Sequence, residues 1–305
     1  MQTKQQIQQL LASAGIRPSK RLGQHFLIDL NLMRLLIDSA DISKDDIVLE
    51  VGCGTGSLTQ GLAEKASYCF AVELDERIAK IAKKELAQAR NVAVLNTDIL
   101  TNKNTIDQTI TGALKLARKK YSGRVLLIAN LPYKVASAVM LNLITAKTVV
   151  DAMYVTVQKE VADRMTAQPG SKDYGTLSIF LAATGDVKTI KVLKPTVFWP
   201  QPKVDSAMIS YIRKKEKVGW IKSMELLRET VNIFMQHRRK KVKSCTKFAA
   251  GSLTEIHHWP EIFERCDIDP HSRPQQLRPE DYIAIANLSL AFIDAKIVRP
   301  LGQDN

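Results

Sequence analysis

Glu50-Val51-Gly52-Cys53-Gly54-Thr55-Gly56-Ser57 is the stretch on which the reading of the fold turns. It follows the apolar run Ile47–Val51, which reads as a buried strand, and precedes a helical pattern near 57–65. Glycines permit a tight strand-to-helix turn and let a ligand approach the backbone closely, while the helix N-terminus adds free N–H groups. The spacing is G-x-G-x-G; the dinucleotide-binding G-x-G-x-x-G would need glycine where Ser57 stands. A glycine loop alone leaves dinucleotide binding open.

Working outward, strand-like and helix-like segments alternate. A short amphipathic opening (Ile7, Leu10, Leu11, Ala14) precedes a helix over 31–40. Further helices fit 75–89, 135–146 and parts of 158–184. Strands fit 68–73, 92–95, Val125–Ala129, 151–157, 187–193 and 204–212, and an insert rich in Thr, Asn and Lys covers 101–122. Such alternation predicts an α/β fold, a mostly parallel sheet with helices on both faces. The string KKEKVG at Lys214–Gly219 breaks the pattern, and helices fit 222–236, 239–249, 252–257, 260–265 and 279–295 beyond it. The expected organisation is an N-terminal extension (1–19), a catalytic domain (20–214) and a smaller all-helical domain (220–298).

Composition narrows the class. The 305 residues are 45% hydrophobic and 25% charged, ordinary for a folded globular chain. No apolar run has the roughly 18 residues of a membrane span, and the opening residues do not read as a secretory signal. Cys53, Cys69, Cys245 and Cys266 show no metal-ligand spacing and suit a reducing cytosol, so a cytoplasmic protein without a metal is expected. Lys plus Arg is 44 against 31 acidic residues, net +13. The excess is 29 basic against 19 acidic up to Lys214, and 15 against 12 after it, with dense clusters at Lys115–Arg124 and Arg238–Lys243. A polyanionic partner, nucleic acid before membrane, fits this balance; the alternative is a solvated lysine surface.

The loop has acids in register with it. Glu73, at the end of the second strand, can accept hydrogen bonds from both hydroxyls of a ribose. Glu50 precedes the first glycine, and Asp98 closes the third strand in Asn96-Thr97-Asp98-Ile99. Together with the glycines these residues resemble the seven-stranded, Rossmann-like class I methyltransferases that use S-adenosylmethionine. The resemblance places Gly52, Gly54, Gly56, Glu73, Leu74, Asp98 and Ile99 at the cofactor.

Asn130-Leu131-Pro132-Tyr133 follows the strand Val125–Ala129. An exocyclic adenine amine is a poor nucleophile, because its lone pair is delocalised into the ring. Acceptors at its N–H hydrogens can aim the nitrogen at a sulfonium methyl and favour pyramidal attack. The Asn130 side-chain oxygen and the Leu131 carbonyl can be those acceptors. Pro132 stiffens the turn, and Tyr133 offers a flat face. This N-[LI]-P-[YF] motif is similar to that of the adenine-N6 methyltransferases of nucleic acids.

Three further stretches carry a closer resemblance: Gly23-Gln24-His25-Phe26-Leu27, Phe198-Trp199-Pro200-Gln201-Pro202-Lys203-Val204-Asp205-Ser206-Ala207, and FMQHRRKK at Phe234–Lys241. In this order, from about Lys20 to Asn287, the chain resembles the bacterial small-subunit (16S) ribosomal RNA adenine-N6,N6 dimethyltransferases. That resemblance implies dimethylation of two adjacent adenosines in a hairpin loop near the 3′ end of 16S RNA. It implies the assembling small subunit as partner, a monomer as the working form, and S-adenosylhomocysteine as product. It puts Gln24, His25, Leu27 and Asn130 at the cofactor, with Asn130 also at the target. The chain departs from the common family text in His25, where Asn is frequent, and in Cys53, where Pro is frequent.

Phe198 and Tyr133 are candidates to sandwich an extruded base, the alternative for Phe198 being core packing beside Trp199. Lys20, Arg21, Arg238, Arg239, Lys240 and Lys241 are candidates for RNA phosphates, with Lys243 on the same predicted helix. Competing readings are a large-subunit adenine methyltransferase of the macrolide-resistance type, a non-catalytic RNA-binding factor on the same fold, and a dinucleotide dehydrogenase. The V-D-S-A stretch and the long helical C-terminal part disfavour the first. Intact Glu73, Asp98 and Asn130–Tyr133 disfavour the second, and the glycine spacing the third.

Overall fold

In the computed structural model, residues 1–19, 21–146 and 150–297 are described. Seven strands make the central sheet: β1 (Ile47–Val51), β2 (Tyr68–Glu73), β3 (Val92–Asn96), β4 (Val125–Asn130), β5 (Ala152–Gln158), β6 (Gly185–Leu193) and β7 (Ser206–Arg213). Their order is β3-β2-β1-β4-β5-β7-β6. The pairs from β3 through β5 are parallel, and β7 returns antiparallel to β5, Ser206 opposite Gln158. Parallel strands need crossovers, which the helices between them provide. Strands β1 and β4 are buried almost end to end, as strands covered on both faces must be.

The first helices are α1 (Lys4–Ser13), α2 (Leu30–Ser39), α3 (Ser57–Ala63), α4 (Glu76–Glu85), α5 (Gln108–Lys120), α6 (Ala136–Thr145), α7 (Lys159–Met165) and α8 (Thr176–Thr184). The insert over 101–122 is built of regular elements. It holds most of a two-stranded ribbon (Leu100–Asn102 with Thr105–Ile106) and then α5. Asp107 caps α5 through the Thr109 N–H, and Ile110, Leu114 and Ala117 form its buried stripe. Gly112 in mid-helix, where glycine costs about 1 kcal/mol, hides that stripe among polar residues.

Chain contacts divide the molecule into two compact units, Met1–Asp163 with Val187–Arg213, and Arg164–Asp186 with the chain from Lys214 onward. This differs from the expected 20–214 catalytic domain in two ways. The first nineteen residues belong to the first unit, and Arg164–Asp186, α8 included, goes with the helices of the second. The KKEKVG string is not a loose linker: it forms α9 (Lys215–Gly219), whose Lys217 Nζ donates to the carbonyls of Ala182 and Gly185 and pairs with Asp186. The expected end at 298 lies outside the described residues.

In the second unit α10 (Met224–Gln236) packs on the closing helix, with Phe234 edge-on to Trp259 and Tyr282. Tyr174 and Tyr282 are buried, and their hydroxyls donate to the Leu277 and Pro274 carbonyls at 2.9 and 2.7 Å. The helix expected over 239–249 is not continuous. After α10 the string Arg238–Lys240 runs as a turn, and only then come α11 (Val242–Cys245) and a 3-10 turn. Five cations within six positions would repel one another at helical i, i+3 and i, i+4 spacing, and a turn separates them. Two helices, α12 (Trp259–Arg265) and α13 (Pro279–Ile297), complete the unit.

Candidate active site

The strand order reverses between β1 and β4, and ligands of open α/β sheets bind beyond the carboxyl ends at such a switch. There the chain builds a cleft lined by the glycine loop, the ends of β2 and β4, the segment after β3, and Arg21–Leu27. Gln24, His25, Leu27, Gly52, Gly54, Glu73, Leu74, Asp98, Ile99 and Asn130–Tyr133 all line it. Residues separated by more than a hundred positions thus meet in one cavity.

The loop leaves β1 with Gly52 at φ +77° and Gly54 at φ +57°. A Cβ at Gly52 would meet Pro132 Cγ at 2.9 Å, and one at Gly54 would meet Phe26 Cε1 at 2.8 Å. Both the left-handed backbone and the close neighbours demand glycine. Gly56 does not line the cleft; it is the left-handed N-cap of α3, set against Leu86. Cys53, in the place where the family often has Pro, is a buried thiol. Burial first, then the charges of Glu50 and Glu73, push its pKa well above the ordinary value.

Glu73 sits on β2 directly across the loop. Its Oε2 accepts from the Gly54 N–H at 3.0 Å and its Oε1 from the Asp75 N–H at 2.9 Å, which locks the carboxylate toward the cleft. Burial pushes its pKa up against these two bonds. A carboxylate has about four acceptor positions, so two protein bonds leave capacity for ribose hydroxyls. Glu50 is more enclosed, accepts from Thr59 Oγ1 at 2.6 Å, and is pushed to about 8 by burial and by the neighbouring Glu73.

Asn130 ends β4. Its Nδ2 donates to the His25 carbonyl at 2.7 Å, whereas its Oδ1 is buried without a partner. The carbonyl fixes which way the amide points, since a flipped amide would set two oxygens against each other. Gln24 is the complement: its Oε1 accepts from the Ser19 N–H, and its buried Nε2 has no partner. Among the described residues, the cleft lining thus holds one buried orphan acceptor and one buried orphan donor. Buried orphan polar groups are costly, and in a cleft they mark where a ligand completes the bonding.

The His25 Nδ1 donates to the Pro200 carbonyl, and its ring stacks on Tyr133 at 5.3 Å. Tyr133 also shares a 2.6 Å hydrogen bond with Ser206 Oγ, and burial raises its pKa, so it remains a neutral phenol. Phe198 is a correction. The strand Phe26–Leu27 pairs with Phe198–Trp199, and this turns Phe198, 2% exposed, into the apolar core with Leu27 and Met33. It does not line the cleft, and the ring found against Tyr133 is His25.

The expected RNA-binding cations divide. Arg21 lines the cleft mouth, where its carbonyl accepts from Lys134 Nζ. Lys20 lies outside the described residues. In the second unit Arg238–Lys241 are exposed, but Arg238 also donates to the Lys172 and Tyr174 carbonyls, Lys240 lies over the Phe248 ring, and Lys241 contacts His271. Sequence reasoning leaves out Ile7, Met33 and Ile78, which line the cleft as apolar wall; their only signal is helical periodicity. Among the described residues no group of His, Cys, Asp and Glu is placed to hold a metal, and no helix is long and apolar enough to cross a membrane.

Known proteins share this architecture. A dimethyladenosine transferase from Plasmodium falciparum superposes with a TM-score of 0.69 at 23% identity, over 88% of this chain and 98% of that one. The 23S rRNA methyltransferase ErmE does so with 0.58 at 21%, over 88% and 99%. These two show the fold, a seven-stranded α/β sheet followed by helices. In sequence, the ribosomal RNA small subunit methyltransferase A of Alkaliphilus oremlandii is 38% identical over 272 residues, 88% of this chain and 91% of that protein. Its namesake from Latilactobacillus sakei is 32% identical over 281 residues, 91% and 92%. The family model described as ribosomal RNA adenine dimethylase matches residues 16–288. With that match spanning most of the sequence, the chain belongs to the ribosomal RNA adenine dimethylase family.

Proposed function

We propose that the chain dimethylates N6 of two adjacent adenosines in the 3′ hairpin loop of 16S RNA, working as a cytoplasmic monomer on the assembling small subunit. The observation that carries this reading is the Asn130 amide in the cleft lining, tied by its nitrogen to His25 and left with a buried, unpartnered oxygen. S-adenosylmethionine, when bound, supplies a methyl group on a positively charged sulfonium. The residues present fit that cofactor. The glycine loop allows close backbone approach, Glu73 holds two acceptor positions for the ribose, and Gln24 Nε2 is a donor for an anionic group.

The chain's own part in transfer is positioning. Asn130 Oδ1 and the Leu131 carbonyl accept from the N6 hydrogens, two in the first transfer and one in the second, and aim the nitrogen lone pair. Each transfer forms the N–C bond as the sulfonium S–C bond breaks, and the surplus N6 proton then leaves to solvent. Tyr133 is the flat surface for the adenine ring, held by Ser206 and by the stacked His25. Binding of an unstacked base agrees with a hairpin-loop target. Immature small subunits incubated with the enzyme and labelled cofactor should yield N6,N6-dimethyladenosine at adjacent loop positions by mass spectrometry. No incorporation, or, with large-subunit RNA offered alongside, incorporation confined to that RNA, would overturn the proposal.

A further inference from the structure

The N-terminal segment, expected to be an appendage, is packed into the loop at the centre of the cleft. Gln2, a polar residue of a type that is mostly solvated, is only 4% exposed. Its side-chain oxygen accepts from Thr55 Oγ1 at 2.6 Å and its side-chain nitrogen donates to the Thr55 carbonyl at 3.2 Å. Its backbone N–H donates to Ser57 Oγ at 2.7 Å, and that hydroxyl in turn donates to Met33 Sδ, on the cleft wall. Thr55 is thus held by side chain and main chain at once, between two glycines with left-handed backbone, Gly54 and Gly56. A segment of this kind has many alternative backbone states, and a two-point clamp on its one branched residue removes most of them.

The rest of the segment sets where Gln2 stands. A reciprocal Thr3–Gln6 capping box starts α1 directly after it. Ile7, Leu11 and Ile16 then pack on Ile78, with Phe26 and Trp199 around them. Ile7, Ile78 and Phe26 also line the cleft, and Phe26 is the ring that lies against Gly54. The loop is consequently gripped from two sides by groups far from it in sequence.

We propose that Gln2 is a positioning residue of the methyl-donor site: its amide holds Thr55 so that the Gly54 N–H stays on Glu73 and the cleft is preformed for the cofactor. This rests on reading the cleft as the S-adenosylmethionine site. The clamp shapes the loop and does not reach the target amine, so its loss acts on cofactor binding and not on transfer once the cofactor is bound.

The test is calorimetry with S-adenosylmethionine on full-length wild type, Gln2→Met and Gln2→Asn, combined with kcat and cofactor KM on immature small subunits. Methionine keeps the buried volume and removes both polar atoms; asparagine stays polar but is one carbon too short. Each variant should bind the cofactor about tenfold more weakly, the scale of two neutral hydrogen bonds. KM for the cofactor should rise in parallel, and kcat at saturation should stay within twofold. In a Thr55→Val background the same change should cost less, because one of its bonds is already gone. A folded variant of either kind with wild-type cofactor affinity, lowered only in Tm, overturns the proposal, as does a loss confined to kcat. If wild type itself does not bind S-adenosylmethionine, the reading of the cleft falls, and the role of Gln2 with it.

Discussion

Asn130→Ala separates transfer chemistry from folding, because the two consequences of the change have different sizes. The wild-type side chain makes one hydrogen bond, 2.7 Å to the His25 carbonyl, and buries one unpartnered oxygen. Deleting the bond costs about 1 kcal/mol of stability, and the orphan oxygen, whose burial costs about 1–3 kcal/mol, disappears with it. The two effects oppose each other at similar magnitude, so Tm should move by only a few degrees. Nothing offsets the loss during transfer. The attacking nitrogen loses an acceptor, and removing one preorganised group of that kind commonly costs about 10²–10³ in kcat, roughly 2.7–4 kcal/mol. Cofactor affinity should stay within a few fold, since Glu73 and the loop are untouched. Single-turnover methyl transfer to immature small subunits, calorimetry with the cofactor and a thermal melt measure the three quantities on one preparation. A variant that melts like wild type and turns over near normally refutes the proposed role of the orphan oxygen. A variant whose rate loss tracks a collapse in Tm refutes the separation of the two effects.

Glu73→Ala should weaken cofactor binding more than tenfold, because charged hydrogen bonds are worth roughly 1.5–3 kcal/mol; unchanged affinity by calorimetry would make Glu73 a structural acid of the loop. Glu50 carries a pKa raised from 4.5 to about 8, mainly by burial. Its contribution is therefore fully present below pH 4.5 and declines as pH rises to 8, so the Tm advantage of Glu50→Gln over wild type should grow from pH 5 to pH 8 and then level off. A difference independent of pH would mean that Glu50 is not protonated in the folded protein. Neutralising Arg238, Arg239, Lys240 and Lys241 together should lower the slope of log affinity for immature subunits against log salt. The decrease should be about 0.7–0.9 for each RNA phosphate that these side chains pair with in wild type. Cofactor affinity should stay the same, and an unchanged salt slope would mean that the string is solvated surface.

How far the sequence could be read depends on the range of the interactions that decide each element. Strand β1 was legible to the residue because five apolar or enclosed positions in a row, ended by glycine, have one solution in a parallel sheet. Strand β4 was nearly so, missing only Asn130 at its end. The spacing of Gly52, Glu73, Asp98 and Asn130 was legible as a set because all four lie at or just beyond carboxyl ends of strands, and parallel order brings those ends to one edge. Helix α5 was overlooked although Ile110, Leu114 and Ala117 keep the right period, since Gly112 and the threonines lower local propensity and tertiary burial overrides it.

Phe198 and Gln2 failed for a different reason, and their cases mirror each other. At Phe198 the motif suggested a role, but which face the ring takes is set by pairing with Phe26–Leu27, more than 170 positions away. A strand alternates its side chains, so one residue's shift in that register would exchange the environments of Phe198 and Trp199. At Gln2 no local signal exists: glutamine is mostly an exposed residue. Its burial comes from partners 53 and 55 positions on, at Thr55 and Ser57. What the sequence concealed in both cases was orientation, for chemistry can be read from residue types in order, whereas the direction a side chain faces depends on the partner the fold brings to it. The pair of orphan atoms at Asn130 and Gln24 illustrates the consequence. Either amide could have turned to satisfy itself elsewhere; the His25 carbonyl and the Ser19 N–H fix the two orientations and leave an acceptor and a donor buried without partners on residues that line the cleft.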